Sequence, residues 1–180
     1  MQQKLEKIKL VITDVDGVLT DGQLHYDANG EAIKSFHVRD GLGIKMLMES
    51  GIQVAVLSGR DSAILRHRIA DLGITLFFLG KLEKESACFE LMKQAGVKPE
   101  ETAYIGDDSV DLPAFAVSGL SFAVADAPSY VKNAADHVLS LDGGKGAFRE
   151  MSDMILTAQG KSAVFDSAQG FLKSVKNMGQ

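Results

Sequence analysis

Two carboxylates one residue apart, Asp14 and Asp16, close the apolar run Ile8-Lys9-Leu10-Val11-Ile12-Thr13 and are followed at once by Gly17. On extended backbone, residues i and i+2 point the same way, so the pair can address one reacting centre while Gly17 lets the chain turn aside. A second acidic group, Gly106-Asp107-Asp108-Ser109-Val110-Asp111, ends another apolar run. Hard divalent cations want oxygen ligands, and Mg2+ characteristically takes one or two carboxylates together with water and substrate phosphate, so Asp107 reads as a ligand. Asp108 and Asp111 could equally begin the following helix, where negative charge suits the N-terminus. Two further clusters suit an anion. Ser58-Gly59-Arg60-Asp61 offers a hydroxyl, close backbone approach at Gly59 and a guanidinium where a helix starts, although Ser58 could also be a plain helix cap. Lys81 and Lys84 stand before another helix, against the direction its dipole favours, and sequence position alone does not choose between them.

These residues share a setting: each cluster follows a short, strongly apolar stretch. Near-continuous hydrophobic runs are the mark of parallel strands covered on both faces. Ile8–Thr13, Ile52–Leu57, Ile74–Leu79, Thr102–Ile105 and Leu120–Ala125 are such runs, with a last edge strand at His137-Val138-Leu139. Helical patterns lie between them, the first from Leu42 to Met48 and stopped by Gly51. Strands alternating with helices imply an α/β fold, a doubly wound parallel sheet with right-handed crossovers, whose strand ends open on one crevice. The Asn29-Gly30 pair between two short polar-apolar stretches predicts a small inserted β-hairpin over residues 22–36. Such a ribbon is too small to stand alone and suits a subunit contact. His37, Arg39 and Asp40 start the first helix and are candidate substrate contacts. Asp40 is favoured as the helix cap and Arg39 divides evenly between ligand and surface ion pair.

One domain of 180 residues with 46% hydrophobic content accommodates all of this. We divide it into residues 1–159, the α/β domain, and residues 160–180, a weakly periodic tail that needs a partner surface. A net charge of −5 argues against a nucleic-acid backbone as partner. The charged N-terminus and the lack of a long apolar run give no reason to expect a membrane span or a secretory leader, which points to the cytoplasm. The single cysteine, Cys88, sits in an apolar helix and reads as a core residue. Gly143-Gly144-Lys145-Gly146 reads as a flexible loop and lacks the Gly-Lys-Ser/Thr ending of a nucleotide-binding loop.

Taken together, Asp14-Val15-Asp16-Gly17-Val18-Leu19-Thr20, Leu57-Ser58-Gly59-Arg60, Lys84 and Gly106-Asp107-Asp108-Ser109-Val110-Asp111 resemble, in order and type, the haloacid dehalogenase-like phosphatase superfamily. The hairpin, His37-Val38-Arg39-Asp40-Gly41-Leu42-Gly43-Ile44 and Gly143-Gly144-Lys145-Gly146-Ala147-Phe148-Arg149-Glu150 extend the resemblance over nearly the whole chain, to the capless subgroup that dephosphorylates an eight-carbon ulosonate on the way to lipopolysaccharide. The resemblance implies that Asp14 is a nucleophile forming an aspartyl-phosphate and that Asp16 is the general acid and base. It further implies Mg2+ held by Asp14, Asp107 and the backbone carbonyl of Asp16, phosphate held by Ser58, Gly59 and Lys84, and support from Asp108 and Asp111. His37, Arg39, Arg60 and Arg68 are the candidates to meet the sugar acid, the arginines at its carboxylate. A homotetramer is implied as well, joined by hairpins and with a neighbour's tail closing each site. Two alternatives stand beside this reading. One is a phosphatase of nine-carbon ulosonate phosphates. The other is a phospho-accepting signalling receiver domain, against which Asp16 argues, since a domain that stores phosphate has no use for an acid two residues from the acceptor.

Overall fold

In the computed structural model, which describes residues 1–178, the apolar runs form one sheet. A short helix α1 (Gln2–Leu5) leads into β1 (Leu10–Thr13), followed by the antiparallel ribbon β2 (His25–Asp27) and β3 (Gly30–Ile33). Then come α2 (Val38–Glu49), β4 (Gln53–Leu57), α3 (Ala63–Leu72), β5 (Leu76–Phe78), α4 (Glu85–Ala95), β6 (Thr102–Gly106), α5 (Leu112–Val117), β7 (Leu120–Ala123), α6 (Ser129–Ala134), β8 (His137–Val138) and α7 (Ala147–Ala158). The six sheet strands are parallel in the order β5-β4-β1-β6-β7-β8. All of β1 and β6 is buried, which explains why their sequences show no polar alternation. No described helix is long and apolar enough to cross a membrane.

From β1 the chain steps outward to β4 and β5, returns across the sheet and resumes at β6 on the other side of β1. Right-handed crossovers in opposite directions put α2 and α3 on one face and α4 and α5 on the other. Accordingly α2 packs on α7, while α4 lies against β1, β4 and β5. Strand order reverses between β1 and β6, and a crevice opens beyond their C-terminal ends. Asp14 and Asp107, the first residues past the two strands, stand there.

Several local expectations are corrected. The helix expected from Asp61 begins at Ala63, because the Ser62 hydroxyl accepts from Leu65 N (3.3 Å) and Asp61 pairs instead with Arg66. Ser58 to Asp61 is therefore a loop, and Ser58 caps no helix. Nor does Asp40 cap α2: that position belongs to His37, whose Nδ1 accepts from Arg39 N (3.2 Å). Asp40 is buried in the first turn of α2 and accepts from Arg149 N (2.9 Å), capping α7, which follows Gly146 and has no side-chain cap of its own. Burial raises the Asp40 pKa. The loop of residues 143–146 is a brace rather than a free segment. Gly144 N donates to Val18 O (2.9 Å) and Gly143 N to Asp126 Oδ1 (3.0 Å), and a Cβ on Gly143 would strike the Gly17 carbonyl.

The tail forms α8 (Ala163–Asp166) and α9 (Ala168–Met178); α9 packs on the chain's own α2, and α8 on α9. Val164, Phe165 and Phe171 pack against the core, and the Arg149 guanidinium stands 5.6 Å from the Phe165 ring centre. Leu172 and Val175 stay exposed. The last two residues of the expected tail lie outside the described residues.

Candidate active site

The ladder between β1 and β6 continues one residue past β1, through Asp14 N to Ile105 O (3.1 Å), and so fixes the backbone from which the Asp14 carboxylate projects. On the other strand, Gly106 leaves room that a Cβ would take from the carboxylate of Asp111. Asp111 is fully buried and saturated as an acceptor. Its Oδ1 accepts from Lys84 Nζ (2.6 Å) and Tyr104 OH (2.7 Å), its Oδ2 from Asp107 N (2.9 Å) and Asp108 N (3.2 Å). Lys84, at the start of α4 and also buried, places its ammonium 2.9 Å from Asp14 Oδ1. One cation thus bridges Asp14 and Asp111, with Asp107 alongside.

Oxygens of Asp14, Asp107 and Asp111 lie within 4.8 Å of one another. Three carboxylates around one ammonium leave an excess of negative charge in a buried space. Burial, and then Asp111, push the Asp14 pKa up to about 7 against the opposing pull of Lys84. Burial, with Asp14 and Asp111 next, pushes Asp107 to about 8. Such a donor set fits a hard divalent cation. Because Asp111 is fully engaged, Asp14 and Asp107 are the carboxylates with capacity left to ligate.

Gly17 is shaped by this cluster. It sits at φ +93°, and a Cβ there would collide with the Asp107 carboxylate. Gly17→Ala is expected to cost about 1–3 kcal/mol of stability, from left-handed backbone strain together with the displaced carboxylate. It should weaken Mg2+ binding too; urea unfolding and Mg2+ titration by calorimetry check the two effects.

The other expected site residues divide. Ser58 is buried one residue past β4, and its hydroxyl accepts from Arg60 N (3.1 Å). At Gly59 a Cβ would press on Leu82. Asp16 stands apart from the carboxylate cluster: its Oδ1 accepts from Lys34 Nζ, and Arg60 Nε lies 3.9 Å from its Oδ2. Arg60 reaches from this loop to the ribbon, donating to Tyr26 OH (2.5 Å). Asp108, expected to support the lysine or the metal, does not touch Lys84. It accepts from Ser109 N (2.7 Å) and Tyr130 OH (3.2 Å), and Asp111 holds the lysine. His37 is engaged as the α2 cap. Arg68 pairs with Asp71 (2.7 Å) and stands 5.5 Å from the Phe36 ring centre. Arg39 lines a groove of about 990 Å³ with Leu42, Arg149 and Phe165, separate from the carboxylate cluster.

Sequence reasoning missed Lys34 and Tyr104. Nothing local marks Lys34, since its role comes from the fold laying the ribbon beside Asp16. Tyr104 did carry a signal: a tyrosine inside a buried strand needs a partner for its hydroxyl, and the acidic group that follows offers three candidates, of which Asp111 is the one it meets.

Three comparisons bear on this geometry. Residues 79–146 match a family model described as haloacid dehalogenase-like hydrolase. The 3-deoxy-D-manno-octulosonate 8-phosphate phosphatase of Haemophilus influenzae is 87% identical over all 180 residues of both chains. A solved structure of the cobalt-bound form of the deoxy-D-mannose-octulosonate 8-phosphate phosphatase from Haemophilus influenzae, 86% identical, superposes with a TM-score of 0.94 over 94% of this chain and 99% of that one. The corresponding phosphatase of Moraxella catarrhalis, solved with a magnesium ion, a phosphate ion and the sugar acid KDO, is 39% identical, with a TM-score of 0.87 over 91% of this chain and 94% of that one.

Proposed function

The chain belongs to the haloacid dehalogenase-like hydrolase family, and from that premise we propose that it is a Mg2+-dependent phosphatase hydrolysing 3-deoxy-D-manno-octulosonate 8-phosphate to the free sugar acid and phosphate, a step towards lipopolysaccharide. The observation that carries the reading is the pairing of Asp14 with the buried Lys84, with Asp107 beside it at the switch point of the sheet. An Asp14 oxygen attacks phosphorus, the bond from phosphorus to the sugar oxygen breaks, and Asp16 gives its proton to that oxygen. Asp16 then takes a proton from water, which attacks the aspartyl-phosphate, and phosphate leaves with the Asp14 carboxylate restored. Lys84 and the Ser58 hydroxyl hold phosphoryl oxygens, with Gly59 admitting the phosphate close to the backbone. Asp14, Asp107 and the backbone carbonyl of Asp16 would hold Mg2+, which offsets repulsion between carboxylate and phosphate and stabilises charge in the transition state.

The substrate carries a carboxylate as well as a phosphate. Arg60 is the arginine that stands beside Asp16, and a guanidinium fork suits that carboxylate. We assign Arg60 this role before Arg39 and Arg68, whose surroundings lie along α2, α3 and α7. The chain works as a cytoplasmic homotetramer in this reading, with ribbons as subunit contacts; exposed Tyr26 and Ile33 on the ribbon support that surface.

The test is Mg2+-dependent phosphate release from a panel of sugar phosphates that includes the octulosonate 8-phosphate and a nine-carbon ulosonate 9-phosphate. Turnover confined to the eight-carbon substrate and abolished by chelator is the expected result. Broad, weak turnover would remove the named substrate, and stable phosphorylation without turnover would remove the hydrolase.

A further inference from the structure

Lys34 belongs to none of the clusters that mark the site, yet it holds Asp16. It lies one residue beyond β3, on a ribbon whose Tyr26 and Ile33 are each 60% exposed, and still its side chain is only 1% exposed. A lysine is seldom buried so completely unless it is paired. Here Nζ donates to Asp16 Oδ1 and stands 2.8 Å from Glu31 Oε1. Glu31 is approached in turn by Arg60, whose Nη2 lies 3.9 Å from Oε2 and also donates to Tyr26 OH. The ribbon, through Lys34 and Glu31, and the loop after β4, through Arg60, therefore close together on the Asp16 turn.

The two oxygens of Asp16 are held differently: Oδ1 accepts from the Lys34 ammonium, while Oδ2 is buried, has no hydrogen-bond partner among the described residues, and has Arg60 Nε at 3.9 Å. A carboxyl held at one oxygen keeps its plane and presents the other in a fixed direction. We propose that Lys34 is the positioning residue of Asp16, orienting Oδ2 towards the oxygen of the leaving sugar. The inference rests on the reading of Asp16 as the general acid. As the bond from Asp14 to phosphorus forms and the ester bond breaks, the proton on Oδ2 passes to the ester oxygen; Lys34 keeps its three protons throughout. This gives the inserted ribbon a part in chemistry as well as in assembly.

Leaving-group dependence separates a positioning role from a structural one. A sugar alkoxide needs a proton to depart, whereas the nitrophenolate of 4-nitrophenyl phosphate does not. In single-turnover measurements of aspartyl-phosphate formation, the step in which Asp16 acts as acid alone, Lys34→Met should lower the rate on the octulosonate phosphate by about 10- to 100-fold and on 4-nitrophenyl phosphate by less than about threefold, at or below the foot of the 10²–10⁴ range of general acid catalysis. Lys34→Arg should recover much of the loss, and Glu31→Gln, which keeps the lysine and loosens its seat, should show the same selectivity in smaller measure. Equal losses on both substrates, or none, would overturn the proposal, and Glu31→Gln carries the same decision should Lys34→Met not fold. Asp16→Asn run in parallel distinguishes the two levels of failure. If it is itself unselective, the reading of Asp16 as acid falls and this inference with it; if it is selective and the Lys34 and Glu31 variants are not, only the inference falls.

Discussion

Asp14→Asn is expected to lower phosphate release by about four to six orders of magnitude, the scale on which enzymes lose turnover when a nucleophile is removed. The substitution keeps the shape of the side chain and replaces an oxygen nucleophile with an amide. Lys84 retains its 2.6 Å pair with Asp111, so the ammonium is not stranded. Burial and Asp111 already raise the Asp14 pKa to about 7, which means the ionised side chain is held at a cost in the metal-free fold. The variant should consequently melt no lower than wild type in chelator. Rapid acid quench followed by mass spectrometry should find a phosphoryl adduct on wild type and none on the variant. Residual turnover within tenfold of wild type would exclude Asp14 as nucleophile.

The second large effect is a fall in the stability of the metal-free protein as pH rises. Asp14 and Asp107 move from 3.8 to about 7 and about 8 on folding. Between those values the folded chain binds more protons than the unfolded one, so unfolding free energy declines with increasing pH. Each tenfold gain in proton affinity is worth about 1.4 kcal/mol, so the decline across the two groups amounts to several kcal/mol. Carboxylates held below their usual range act in the opposite sense. Glu31, where Lys34 outweighs the effect of burial, is one of them, and their contribution is complete by about pH 5. The decline from about pH 5 to about pH 8 is therefore carried chiefly by the Asp14 and Asp107 cluster, with Asp40, also raised by burial, acting in the same sense. Saturating Mg2+ should flatten it by binding the deprotonated carboxylates of the folded state. Urea unfolding across this pH range, with chelator and with Mg2+, provides the measurement. A metal-free curve that is level or rising would mean that the buried carboxylates ionise in the fold as readily as they do in water.

The parts of the fold set by short-range pattern were legible. Buried strands such as Leu10–Thr13 and Thr102–Gly106 announce themselves as apolar runs, and their polar ends locate the crevice. The Asn29-Gly30 turn marks the ribbon as clearly. What was not legible depends on partners distant in sequence. Asp40 looks like the cap of its own helix and serves as the cap of α7, 109 residues away. Asp108 and Asp111 have the same side chain and similar settings in sequence. Tertiary structure buries one beneath Lys84 and leaves the other at a turn beside Tyr130. Residues 160–180 read as a weakly periodic tail because they hold two short helices, α8 and α9, rather than one continuous period, and α9 finds its cover on α2.

The brace between Gly144 and the turn after β1 bears on how the protein is born. Val18 is synthesised well before its partner Gly144, with β4 to β8 made in between. Until residues 140–146 dock, the turn bearing Asp16 and Gly17 lacks the surface against which it closes. A nascent or prematurely terminated chain can thus assemble β1, β4 and β6 and still possess no finished crevice, because the segment between β8 and α7 seals a geometry opened by β1. Competence for chemistry would then arrive as a late, all-or-none event in the life of the chain, after synthesis of the catalytic residues themselves is complete.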